Sequence, residues 1–147
     1  MKLAIELIPI PTMNVNVRSH ISSYRWRQLS LNVQRRDGYA CVICGRRKGH
    51  EVHKLHCHER WEFDEELGIQ RLVDMISLCF QCHMIKHIGF ADMQGWIEQY
   101  ALIEHFCKVN EVEREQFAIH LDESVQQWII RNRIDWTVDM SSYSQYG

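Results

Sequence analysis

Two cysteine pairs, Cys41-Val-Ile-Cys44 and Cys79-Phe-Gln-Cys82, are separated by 34 residues. Thiolates two residues apart present both sulfurs to one tetrahedral ion, and two such pairs complete a four-sulfur zinc site. Four protein ligands leave no position for water, so the expected Zn2+ is structural and clamps the segments that carry it. Cysteines also serve as small buried hydrophobes, and Cys107, beside Phe106, fits that description. A redox CxxC belongs in a strand-to-helix βαβ setting, which neither pair has.

A second set of ligating side chains follows the same stretch. His53, His56, Cys57 and His58 lie between the pairs, and His83 and His87 come directly after the second one. Residues four apart share one face of a helix, so His83 and His87 behind a CxxC read as metal ligands. His20, His50, His105 and His120 carry no such spacing and read as surface or satisfied core residues.

Several elements must position these groups. Ser22 and Ser23 cap a helix whose Trp26, Leu29 and Val33 share one face, and Asp37-Gly38 ends it. A short strand over 39–44 with a turn at 41–45 holds the first cysteine pair, and 51–63 alternates as a hairpin or bent ribbon. The stretch 64–76 reads as a turn with a short helix or loop. Helices are expected over 79–89, 94–109 and 111–133, the last two burying aromatic stripes that include Trp96, Phe106 and Trp128. Ile134, Trp136, Val138 and Met140 alternate with polar residues as a short closing strand.

The chain has 147 residues, 46% hydrophobic and 24% charged, which suits one globular domain with a modest core. No apolar run is long enough to span a bilayer. The first eleven residues are interrupted by Lys2, Glu6, Pro9 and Pro11 and lack a small-residue cleavage site. Reduced thiols in the cytoplasm are therefore expected rather than disulfides. Net charge is −2, but residues 18–48 hold eight basic side chains against Asp37 alone, while the C-terminal third is acid-rich. A basic face of this kind contacts phosphates, and the bland alternative is a solvated helix surface.

The motifs together resemble the HNH endonucleases. The residues that carry the resemblance are Cys41-Val-Ile-Cys44-Gly45, then Leu55-His56-Cys57-His58-Glu59, then Leu78-Cys79-Phe-Gln-Cys82-His83-Met-Ile-Lys86-His87. The chain is most similar to compact bacterial members with an E-C-H-E-x-W strand, here Cys57-His58-Glu59-Arg60-Trp61 with His56 in place of the first Glu. Gln70-Arg71-Leu72 and the run from Leu78 to Gly89 continue the pattern. The likeness covers about residues 26–95 and, more loosely, the C-terminal helices.

The resemblance implies an α+β chain with a ββα-metal (His-Me finger) core and a four-cysteine zinc knuckle, flanked by an N-terminal helix and two C-terminal helices. Residues 1–21 form an N-terminal arm, 22–95 the core, and 96–147 a helical extension packed on it as part of a single domain. It implies a nuclease acting on DNA, with His58 as general base and Cys57, His83 and His87 around a divalent ion (Zn2+, Ni2+, Mn2+ or Mg2+). A neutral imidazole takes a proton from water while the ion neutralises charge on the scissile phosphate. Arg46, Arg47, Arg60 and Lys86 are the expected phosphate contacts, and the C-terminal helices the expected surface for a protein partner or a second copy.

Two departures from the family pattern bear on activity. Asp74 stands where the family has the Asn that orients the base, and Cys57 stands where it has Asp or His. A thiolate favours zinc over magnesium. If Cys57, His83 and His87 close around zinc with His53 or His56, the site is inert and the protein is a zinc module that binds DNA or a protein. If the fourth position takes water or phosphate, the site is catalytic. A cysteine hydrolase using Cys57 and His58 is the poorest reading, since adjacent strand residues point to opposite faces.

Overall fold

The computed structural model describes residues 1–49 and 54–147. His50 and His53 lie outside the described residues, as does the start of the expected ribbon. The helix expected after Ser22 forms as α2 (Ser23–Arg36), with the Ser22 hydroxyl accepting the Arg25 amide, and a short α1 (Val17–His20) precedes it. In place of a strand over 39–44 there is a single bridge between Ala40 and Arg47, closing the turn that carries Cys41 and Cys44.

The framework is a long hairpin. β1 (Leu55–Asp64) pairs antiparallel with β2 (Ile69–Cys79), where the sequence pattern predicts turn, helix or loop. The strand character of β2 is hidden because polar Arg71, Asp74 and Ser77 interrupt the apolar run and a register shift opposite Arg60 and Trp61 breaks the alternation. Gly68, at φ +65°, turns the chain and packs where an added Cβ would meet the Asp135 carbonyl at 2.8 Å. β3 (Thr137–Asp139) adds parallel to β2, so the sheet order is β1-β2-β3 and β1 is an outer strand.

α3 (Phe80–Lys86) follows β2 without a loop, and α4 (Ile88–Met93) follows after a break at His87. The single helix expected over 94–109 is instead α5 (Trp96–Gln99) and α6 (Leu102–Asn110), parted by Ala101 at φ +49°. α7 (Arg114–Arg131) is the second C-terminal helix, with Ile119, Ile129 and Ile130 exposed along it. No helix among the described residues is long and apolar enough to cross a membrane.

Helices cover both faces of the hairpin. On one side Leu72 and Met75 pack with Val17, Leu29 and Val33 from α1 and α2. On the other, Ile76 and Leu78 pack with Ile85, Leu102, Phe106 and Phe117. The N-terminal arm belongs to this second core: Leu3 is fully buried, and its amide and carbonyl bond the Asn110 side chain at 2.9 and 2.8 Å. Ile5 donates its amide to His120 Nε2, and Trp128 donates to the Ile8 carbonyl. His120 is thus a half-buried histidine satisfied by the arm, within the surface or core reading its lack of spacing gave.

Because Leu3 sits wholly inside, Leu3→Ala should lower the unfolding free energy of the protein by about 2–5 kcal/mol in urea titration. A change under about 0.5 kcal/mol, the size of a surface substitution, would show that the arm is not part of the core.

Candidate metal centre

The first cluster forms as its spacing requires. Sulfurs of Cys41, Cys44, Cys79 and Cys82 all lie within 4.8 Å of one another, a grouping that could hold a metal ion. Gly45, at φ +77°, closes the turn by donating its amide to the Cys41 carbonyl at 2.9 Å. The Val42 amide bonds the Ser77 carbonyl, fastening this turn to β2. Cys79 ends β2 and caps α3, its sulfur accepting the Cys82 amide at 3.5 Å. Hydrogen bonds from Cys79 and then Cys82 hold the Cys41 thiol well below the usual thiol range, so the cluster favours a thiolate. His105 approaches it too, with Nε2 at 3.2 Å from Cys82 Sγ. Nothing in the spacing of His105 announced this contact, because α6 reaches the cluster only through tertiary packing.

The second cluster consists of imidazoles. Nitrogens of His58, His83 and His87 lie within 4.8 Å of one another. His87 is not inside the helix with His83, being the residue at which α3 ends, yet their rings stay 4.9 Å apart. His56 joins them, its Nδ1 at 2.8 Å from His83 Nδ1. Burial first, and then neighbouring imidazoles, push His83 well below its ordinary value and His87 down to about 4. Both rings are therefore neutral near pH 7, with lone pairs available to a metal.

The expected ligand Cys57 is not in this group. In the β1–β2 register His56 and His58 oppose Leu78 and Ile76, on the side of α3. Cys57 opposes Ser77 and packs with the α2 core. Strand alternation is the reason: neighbours in β1 cannot face the same helix. Burial pushes the Cys57 thiol up to about 12, so it is a protonated packing group.

Asp74 is also placed elsewhere. Its carboxylate accepts from Arg36 Nη1 and Tyr146 Oη and caps its own neighbour's amide, with Arg60 at 3.8 Å. The carboxylate on His58 is Glu6, with Oε2 at 2.7 Å from Nε2. The other Glu6 oxygen accepts from Lys86 Nζ at 2.6 Å. Burial acts to raise the Glu6 carboxyl, but the hydrogen bond from His58 and the Lys86 ammonium hold it down at about 2. Glu6 escapes sequence reasoning because 52 residues separate it from His58; only its position as a charge inside an apolar segment sets it apart.

Lys86 is buried in this pair and is not free for phosphate, which corrects its expected role. Arg46 and Arg47 are exposed beside the cysteine turn, and Arg60 is half-exposed. The imidazole cluster borders a cavity of about 180 Å³ along the outer strand β1, which also reaches Arg18, Trp26, Trp61 and Gln70. Compared with protein-family models, curated proteins and solved structures, the chain matches none.

Glu6→Gln leaves the Lys86 ammonium buried without its counter-charge, at an expected cost of about 3 kcal/mol near neutrality. The folded value of Glu6, about 2, is below its ordinary 4.5, so its contribution is full above pH 4.5 and is lost as pH falls through 2. The stability gap between parent and Glu6→Gln, followed by urea denaturation, should narrow over that interval. A gap that stays constant down to the lower limit would refute the pairing.

Proposed function

We propose that the protein is a metal-dependent endonuclease that hydrolyses DNA phosphodiester bonds, as in the HNH family its motifs resemble. The observation that carries this reading is the convergence of His58, His83 and His87 beside a cavity, with Glu6 bonded to the first of them. A β-hairpin running straight into the helix that bears His83 is the arrangement the ββα-metal reading calls for.

The donor sets fit two ions of different kinds. Four sulfurs suit a structural Zn2+. His83 and His87 are nitrogen donors, which suit Zn2+ or Ni2+ better than Mg2+. When bound there, the ion neutralises charge on the scissile phosphate and the leaving oxygen. His58 does separate work. Glu6 takes the Nε2 side of its ring, which places the proton there and leaves the Nδ1 lone pair as the base. Nδ1 accepts a proton from water as the water oxygen bonds to phosphorus, and the bond from phosphorus to the leaving oxygen breaks. Exposed Arg25, Arg27 and Arg35 on α2, with Arg18 at the cavity, supply a positive approach for the backbone.

A second reading has its own observation. His56 Nδ1 is already within 2.8 Å of His83 Nδ1, and His58 is only 2% exposed. Four imidazoles closing on one zinc would make an inert module that binds DNA or a protein partner.

Supercoiled plasmid conversion separates the two. The parent protein should nick or linearise plasmid with a divalent ion, and His58→Ala should lose activity by about 10²–10⁴-fold while its folding and sulfur-bound zinc persist. Retained cleavage by His58→Ala would remove it as the base. Two tightly held zincs with no cleavage under magnesium, manganese, nickel or zinc would establish the inert module.

A further inference from the structure

Two buried side-chain atoms, Ser77 Oγ and Gln70 Nε2, have no hydrogen-bond partner among the described residues, and the second borders a cavity. Gln70 is fully buried on β2, and the Thr12 hydroxyl donates to its Oε1 at 2.6 Å, but its Nε2 meets no acceptor among the described residues. A buried amide without a partner costs about 1–3 kcal/mol, and this one borders the same cavity as the three imidazoles. An orphan donor on a side chain that borders a recess, itself closed to bulk water, suits an acceptor that arrives with a ligand. Two half-buried indoles, Trp26 and Trp61, line the recess, and the guanidinium of Arg18 lies 5.9 Å from the Trp26 ring centre.

We propose that this recess binds one unstacked nucleotide beside the phosphodiester to be cut, with Gln70 Nε2 donating to a base or phosphate oxygen, an indole stacking the base and Arg18 pairing with phosphate. The inference rests on the endonuclease reading and specifies its substrate. A base held in a duplex is stacked on both faces and cannot enter a recess whose wall is a fully buried glutamine. A single strand, or a nucleotide extruded from a duplex, offers its ring face, its edge and its phosphate together.

The test is equilibrium binding, read by fluorescence anisotropy of labelled oligodeoxynucleotides on the metal-loaded protein. The probes are a single strand, the matching blunt duplex, and that duplex with one bulged nucleotide. The single strand should bind about tenfold tighter than the blunt duplex, stacking being the main difference. Gln70→Met should weaken single-strand binding about tenfold, whereas Thr12→Val, which removes only the hydroxyl bonded to Gln70 Oε1 and keeps Nε2, should leave that binding unchanged and so separates loss of the donor from loss of the buried bond. Arg18→Gln, at an exposed position, should reduce the slope of log K against log salt by about 0.7.

Bulged duplex binding like the single strand would identify extruded nucleotides as a source of the same chemistry and would support the site. Equal affinity for single strand and blunt duplex, or single-strand binding unchanged in Gln70→Met, would overturn it. The readout is binding alone. Failure of plasmid cleavage with intact single-strand preference would therefore count against the endonuclease reading and not against the recess, and the reverse pattern would count against the recess.

Discussion

The sulfur cluster is the constraint on which the rest of the site depends. Cys79 ends β2 and caps α3 in the same residue, so the sheet passes into the helix with no loop to absorb error. Cys41 and Cys44 reach this junction from a turn fastened to β2 through Val42 and Ser77. A junction tied by four sulfurs fixes the direction in which α3 leaves the hairpin. His83 and His87 depend on that direction, since a small rotation of α3 would carry them away from His56 and His58. The structural cluster and the imidazole cluster are therefore coupled through one short helix.

Burial gives the imidazole group its chemistry and also sets its cost. Neutral rings keep their lone pairs, but Lys86 lies in the same helix and enters the core as a charge. The chain resolves this by threading an extended N-terminal segment across the core, anchored at Leu3, Ile5 and Ile8, so that Glu6 meets Lys86 and His58 together. One carboxylate thus serves both a buried ammonium and the ring proposed as the base. Such a pair is costly to break even where it adds little net stability. It also makes the first ten residues part of the site.

The position of β1 at the edge of the sheet decides access. An inner strand would have both of its sides closed by neighbours. Along the free side of β1, residues from both faces of the strand line one cavity, which is how His58 and Trp61 come to border the same recess. The α1–α2 segment then brings Arg18 and Trp26 to its rim. Of the basic stretch noted in the sequence, Arg18 thus borders the cavity of the imidazoles, while Arg46 and Arg47 lie on the cysteine turn, fastened at Ser77 to the same end of β2 that pairs with His56 and His58.

Local chemistry determined much of this protein. The CxxC spacing specified the four-sulfur cluster, the Ser22 cap specified α2, and the interval between His83 and His87 brought their rings together even though the helix breaks at His87. Each depends on residues a few positions apart, so the sequence is enough. It did not determine which side of β1 would face α3. A one-residue change of register would have put Cys57 with His83 and His56 with α2, and only the pairing of His58 with Ile76 settles that choice. The broken alternation of β2, the exchange of Asp74 for Glu6 as the partner of His58, and the approach of His105 to Cys82 share the same origin. Each joins segments far apart in the chain, and contacts of that kind are fixed only when the whole core packs.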